Sequence, residues 1–277
     1  MIDPQQAPNR TLSLAVLSGK GGVGKTGFTL NLGYALHHLS QPVLLVDCDL
    51  GLANLDVMLG VSPQHNLQDL IVSDLEAHQV LFAVEPQGLD LLPAASGLSH
   101  LIEMDQDSRE ILMGKLNRHF GVYDYLLLDL PAGIGESVLS MARMARQRVI
   151  LLTPDPTSLT DSYAMIKVLS SRWGVKRFQI VVNMAESARE AQQTFEKLDQ
   201  VCRNFLGFGV DLLGFVHNSP VVRESVRSQR PFVQSEPDSQ PARDIFGIAR
   251  RISECRQSLL PELSSTPVLA DLERTVS

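Results

Sequence analysis

Cysteine is scarce in this 277-residue chain: Cys48, Cys202 and Cys255 are too few and too scattered for a disulfide framework, a Cys-x-x-Cys metal pair or an iron–sulfur cage. A reducing, cytoplasmic setting suits such a chain. No apolar run reaches roughly 18 residues, and Met1–Arg10 is polar and broken by proline, so neither a spanning helix nor a signal peptide is expected. Positive charge is short as well. A formal net charge of −7 repels a phosphate polymer on average, so strong nucleic-acid binding is not expected without a local basic patch. Two clusters could supply one, Arg172 with Lys176 and Arg177, and Arg223 with Arg227 and Arg230, although a solvated helix face is the simpler reading of both. The seven histidines contain no His-x-x-x-His pair, which leaves no zinc signature. No repeat and no Pro/Ser-rich linker divides the chain before about residue 235.

What the sequence does contain is short apolar runs alternating with helical patterns. Leu12–Leu17, Val43–Val46, Leu89–Leu92, Tyr125–Leu128, Val149–Leu152, Ile180–Val182 and Leu212–Val216 are too short for typical helices, and several are rich in Val and Ile, so they read as strands. Between them, Phe28, Leu32, Ala35, Leu36 and Leu39 share one helical face, and further helices are expected over Arg109–Phe120, Thr160–Trp173 and Ala188–Leu206. Such alternation predicts an α/β fold in three layers, a mostly parallel sheet with helices on both faces. The expected division is a flexible segment over 1–11, one domain over 12–258 and a tail over 259–277.

Gly19, Lys20, Gly21, Gly22, Val23, Gly24, Lys25 and Thr26 satisfy G-x-x-x-x-G-K-[ST], between an expected strand and an expected helix. Glycines let the loop turn its N–H groups around a polyphosphate, and the helix offers its positive N-terminus to the same anion. Lys25 would meet the β- and γ-phosphates of ATP, and the Thr26 hydroxyl would face Mg²⁺.

Three more segments end strands on polar residues, where α/β sheets place ligands. Asp47 and Asp49 should point to the same side of their strand end, one toward the loop and the other toward a water at the γ-phosphate. Asp49 could instead cap the turn at Gly51. Asp129 reads as the carboxylate that holds Mg²⁺, and the Gly133 N–H as a γ-phosphate sensor. Asn183 can recognise an adenine edge or simply form a turn. The expected site is therefore Lys25 and Asp49 for catalysis, the loop, Lys20 included, with Gly133 and Asn183 for ATP, and Thr26, Asp47 and Asp129 for the metal.

These residues resemble the deviant Walker A ATPases, in which the loop begins with a second lysine, here Lys20. Within them, KGGVGKT at Lys20–Thr26, DCDLGLANLDVMLG at Asp47–Gly60 and DLPAGIG at Asp129–Gly135 resemble the MinD branch. TPDPTSLTDSYAMIKVL at Thr153–Leu169, VVNMAES at Val181–Ser187 and LGFVHNSPVVRESVRSQRPFV at Leu213–Val233 are similar to the flagellar-number regulators FlhG, FleN and YlxH. The resemblance implies an ATP-bound homodimer in which Lys20 of one copy reaches the nucleotide of the other, with slow hydrolysis to ADP and phosphate. It also implies protein partners: an SRP-type flagellar GTPase, flagellar switch proteins or a flagellar transcription activator.

Some positions depart from that pattern. Asp3-Pro4-Gln5-Gln6-Ala7 is a poor version of the Asp-Gln-Ala motif linked to GTPase activation. Gly27 follows Thr26 at a cost of about 1 kcal/mol in helix propensity. Arg146-Gln147 and Asn218 stand where acidic residues are usual. After Gln240, Ile245, Ile248, Ala249, Ile252, Cys255 and Leu259 share a face, with Arg243, Arg250, Arg251 and Arg256 elsewhere on the helix. That face suits a final core helix better than a weak peripheral membrane contact, since Pro261 and Pro267 interrupt the segment from Leu260 to Ser277.

Overall fold

A computed structural model describes residues 9–49, 54–66, 69, 75, 77–93, 113, 114 and 116–270. Its strands are β1 (Leu12–Leu17), β2 (Val43–Asp47), β3 (Phe82–Glu85), β4 (Leu89–Leu92), β5 (Tyr125–Asp129), β6 (Gln147–Leu152), β7 (Gln179–Ala185) and β8 (Asp211–His217). They form one sheet in the order β3-β4-β2-β5-β1-β6-β7-β8. Every neighbouring pair is parallel except β3 with β4. All seven strands expected from the apolar runs are present. The additional one, β3, is a half-exposed four-residue edge strand, joined to β4 through Gln87 and Gly88 at positive φ. Its Phe-Ala-Val-Glu sequence is too short and too mixed for a periodicity signal.

The helices are α1 (Lys25–His38), α2 (Leu55–Leu59), α3 (Ala77–Val80), α4 (Glu136–Met144), α5 (Pro156–Trp173), α6 (Ala188–Leu206), α7 (Pro220–Ser228), α8 (Phe232–Ser235) and α9 (Gln240–Leu263). Of the helix expected over Arg109–Phe120, residues 113, 114 and 116–120 are described, and they are helical. α5 starts four residues before the expected Thr160. Asp155 caps it by accepting from the Ser158 N–H, and Pro156 sits in its first turn, where a missing N–H costs nothing.

Strand alternation splits the buried side chains into two cores. Ala15, Leu17, Leu44, Val46, Leu126, Leu128, Ile150 and Leu152 face α4, α5 and α6. Leu14, Val16, Val43, Leu45, Tyr125, Leu127, Val149 and Leu151 face α1, α8 and α9. Each fully buried leucine here is worth about 2 kcal/mol in transfer free energy.

α9 lies within this second core. Ile245, Ile248, Ala249 and Ile252 are buried, and two of its four arginines are spent internally. Arg251 donates to the Leu213 carbonyl at 2.5 Å, and Arg256 is 5% exposed. The Arg256 guanidinium donates to the Arg10 carbonyl at 3.0 Å, pairs with Asp124 and lies over the Tyr125 ring. The apolar face is thus covered by protein and is not presented to a lipid surface in this structure. The helix runs past the expected boundary at residue 258 to Leu263, and the chain after it still packs on the domain. Val268 and Leu269 are buried, and Ser13 donates to the Val268 carbonyl at 2.6 Å. Among the described residues no helix is long and apolar enough to cross a membrane.

Replacing Arg256 with Met should strand the Asp124 carboxylate and the Arg10 carbonyl and cost about 2 kcal/mol or more. The expected readout is a lower denaturation midpoint at unchanged m; an unchanged midpoint would show that the guanidinium ties nothing together.

Candidate functional site

The phosphate loop leaves the end of β1 at Leu17 and enters α1 at Lys25. Gly24 has φ 84°, a left-handed conformation, and a Cβ there would stand 2.6 Å from the Asn183 amide nitrogen. At Gly19 a Cβ would lie 2.5 Å from the Asp161 backbone, so the loop can approach α5 only without a side chain. By contrast, nothing lies within 4 Å of a Cβ at Gly21 or Gly22, and this stretch of the loop faces open space. The first turn of α1 has no side-chain cap and no acidic residue. Its unpaired N–H groups and positive dipole end are left for an external anion.

Asp129, at the end of β5 and fully buried, gathers the start of α1. Its Oδ1 accepts from Lys25 Nζ at 2.9 Å and its Oδ2 from the Thr26 hydroxyl at 2.7 Å. The Thr29 hydroxyl lies 3.1 Å from Oδ1 and 3.0 Å from the Lys25 carbonyl, and with one proton it donates to one of them at a time. Thr29 is an addition to the expected site. The available signal is its helical spacing, one turn after Lys25 on the same face. After Asp129 the chain turns through Gly133, φ 100°, whose N–H donates to the Ser18 carbonyl at 2.9 Å. This N–H, expected to face phosphate, is held here on the loop itself.

Asp47 pairs in register with Asp129 across β2 and β5. Its Oδ1 accepts from the Asp49 N–H at 3.0 Å, and its Oδ2 from the Asn54 and Leu55 N–H groups at 2.9 and 3.1 Å. The carboxylate therefore clamps the N-terminus of α2 onto the sheet. Burial raises its pKa, against the lowering effect of these three N–H bonds, and the neighbouring Asp129 charge adds to the rise. Asp49 is half-buried beside it. The alternative of a cap at Gly51 falls on residues 50–53, outside the described residues.

Lys20 occupies the rim. Its Nζ lies 2.8 Å from Asp155 Oδ1 and 2.8 Å from the Thr157 hydroxyl, and both partners belong to the start of α5. Hydrogen bonds from Lys20, Thr153 and Thr157 hold the Asp155 carboxyl well below the usual carboxylate range. Asp155 is a second addition to the expected site, because an Asp-Pro sequence before a helix signals only a cap. Asn183, 7% exposed, donates its amide N–H to the Val23 carbonyl at 2.8 Å, so it braces the phosphate loop in addition to any contact with a base.

One hydroxyl and two carboxylates, all oxygen donors, match the preference of Mg²⁺, and the open loop with an uncapped helix end matches a polyphosphate. The residues present fit a magnesium nucleotide. Of the other basic residues, Arg172 pairs with Glu136 at 2.7 Å and stacks on Trp173.

Comparison with known proteins agrees with this geometry. A family model described as "ParA: NUBPL iron-transfer P-loop NTPase" matches residues 10–253. The chain is 37% identical to the antiactivator FleN of Pseudomonas aeruginosa, over 86% of this chain and 85% of FleN. It is 32% identical to the flagellum site-determining protein YlxH of Helicobacter pylori, over 86% of this chain and 81% of YlxH. Among solved structures, the septum site-determining protein MinD of Pyrococcus horikoshii, complexed with Mg-ADP, superposes with a TM-score of 0.70 at 28% identity, covering 88% of this chain and 97% of that one. The chain belongs to the ParA/MinD family of P-loop NTPases.

Proposed function

We propose that this protein is an ATP-driven switch that dimerises around Mg-ATP, resets by hydrolysis to ADP and phosphate, and regulates flagellar number, placement or gene expression. The observation that carries the reading is the division of labour between the two loop lysines. Lys25 is buried in its own site on Asp129, whereas Lys20 sits a third exposed at the rim on an exposed carboxylate. A rim lysine with a surface partner can be handed to a neighbouring molecule; a buried one cannot. Mg²⁺, held by Thr26, Asp47 and Asp129, would supply charge neutralisation at the phosphates. Lys25 would leave Asp129 for the phosphate oxygens, and the Gly133 N–H would exchange the Ser18 carbonyl for the γ-phosphate. Asp49, two residues past the end of β2, orients the attacking water. Dimerisation is favoured when Lys20 trades Asp155 for the partner molecule's nucleotide.

The likeness to FleN and YlxH supports the flagellar assignment, and the word antiactivator supports a transcription activator as one partner. The likeness to MinD supports the rival of a cell-division or partitioning ATPase. The packing of α9 tells against that rival's use of a membrane.

Lys25→Ala is expected to abolish tight ATP binding, whereas Lys20→Ala should keep monomer affinity and lose roughly 10²-fold or more in phosphate release. Equal loss of nucleotide affinity in both variants would refute the trans role of Lys20. Asp155→Ala releases the rim lysine and should lower the ATP concentration needed for half-maximal turnover; an unchanged concentration would mean that the Asp155 contact does not compete. Asp47 gives a pH-linked expectation. Because its folded pKa is raised, its contribution to stability is present below the unfolded value and lost as pH rises. Asp47→Asn keeps one acceptor oxygen for three N–H groups and turns an amide donor toward at least one of them, so it should lower the nucleotide-free melting temperature, by less as pH rises, and reduce the shift produced by Mg-ATP. A deficit that does not shrink as pH rises would contradict that sign.

A further inference from the structure

Beside α7 and α8 lies a groove of about 590 Å³ that the nucleotide site does not use. Arg223, Arg227 and Arg230 line it, together with Val221, Glu224 and Glu236. Arg223 and Arg227 stand one turn apart on α7, about 6 Å along its axis, and Arg230 follows just past its end. All three are exposed, and none has a side-chain partner among the described residues. Elsewhere arginines are put to use: Arg146 pairs with Glu262, Arg203 with Asp199, and Arg148 donates to three backbone carbonyls. Like charges one turn apart destabilise a helix by a few tenths of a kcal/mol, so this row does not serve α7 itself.

The wall chemistry selects the occupant. Glu224 and Glu236 interrupt the arginine row, so the groove is of mixed sign and does not match the uniform negative charge of a phosphate chain or an anionic bilayer, whereas a peptide can place single carboxylates opposite single arginines. A peptide suits it better: its carboxylates can take forked, charge-assisted bonds from the guanidinium groups, and its apolar side chains can cover Pro220 and Val221.

The groove is also wired to the phosphate site through α2. Asp47 holds the N-terminus of α2, and the Met58 Cε stands 3.5 Å from a Cβ built on Gly27, in the first turn of α1. At its other end, the Val57 carbonyl accepts from the Gln229 amide at 2.6 Å, and a Cβ on Gly60 would lie 3.1 Å from Gln229 Oε1. Gln229 ends α7 in a left-handed conformation, φ 54°, between Arg227 and Arg230.

The geometry points to the α7 groove as a docking site for an acidic peptide segment of a partner protein, with α2 coupling its affinity to the bound nucleotide. The docking site stands on the groove alone, and the coupling rests on the switch function proposed above. Fluorescence anisotropy of the full chain tests both, using a labelled helical peptide with glutamates at i, i+4 and i+7 and leucines between them, and its glutamine counterpart. The acidic peptide should bind in a salt-sensitive way without nucleotide, and at least tenfold more weakly to R223E/R227E, whose nucleotide affinity and turnover are unchanged. Mg-ATP should tighten binding severalfold in the wild type, and Gln229→Ala should remove that gain while keeping the nucleotide-free affinity. Equal binding of the glutamine peptide, or undiminished binding to the charge-reversed variant, overturns the docking site. So does arginine-dependent binding of duplex DNA or phosphatidylglycerol vesicles in place of the peptide. Arginine-dependent peptide binding that ignores Mg-ATP overturns the coupling alone, and if the same samples bind no Mg-ATP the fault lies with the switch function.

Discussion

The contact on which the site depends is the buried ion pair between Lys25 and Asp129. It joins the first turn of α1 to the end of β5, and the Thr26 and Thr29 hydroxyls add to the same carboxylate. A buried pair offsets its desolvation only when its remaining lone pairs are satisfied, and the Thr26 hydroxyl supplies one such bond, with Thr29 shared between Asp129 and the Lys25 carbonyl. The contact also leaves two opposite charges side by side, which in the proposed switch would turn to phosphate and to the cation. The pair itself holds the first turn of α1 to the end of β5.

Other contacts extend from that centre in different directions. The Asp47 clamp joins the site to α2, and α2 is joined to α7 through Gln229. Ser18, by accepting from Gly133, ties the loop to the turn before α4. Lys20 links the loop to α5 through a carboxylate whose depressed pKa keeps it charged, so the latch is electrostatic throughout the physiological range. Each of these is a polar contact, whereas the apolar cores on either face of the sheet serve as the frame.

Much of this is legible in the sequence because it is local. Continuous apolar runs mark the parallel strands, and the Gly-Lys-Thr loop between a strand and a helix marks the phosphate site. The features that are not legible depend on distant segments meeting. Nothing local to Asp155 says that it receives Lys20, 135 positions away. Nothing near Asn183 says that it braces Val23, and the charge pattern of α9 hides the burial of Arg256 against Asp124. β3 escapes a sequence reading because a four-residue edge strand carries no period.

The most direct test of the account is the mass in solution of Asp49→Ala, by sedimentation, in Mg-ATP and in Mg-ADP. The account predicts a dimer in Mg-ATP, a monomer in Mg-ADP, and a return to monomer in Mg-ATP when Lys20→Ala is added. One mass in both nucleotides, or a dimer indifferent to Lys20, would contradict it.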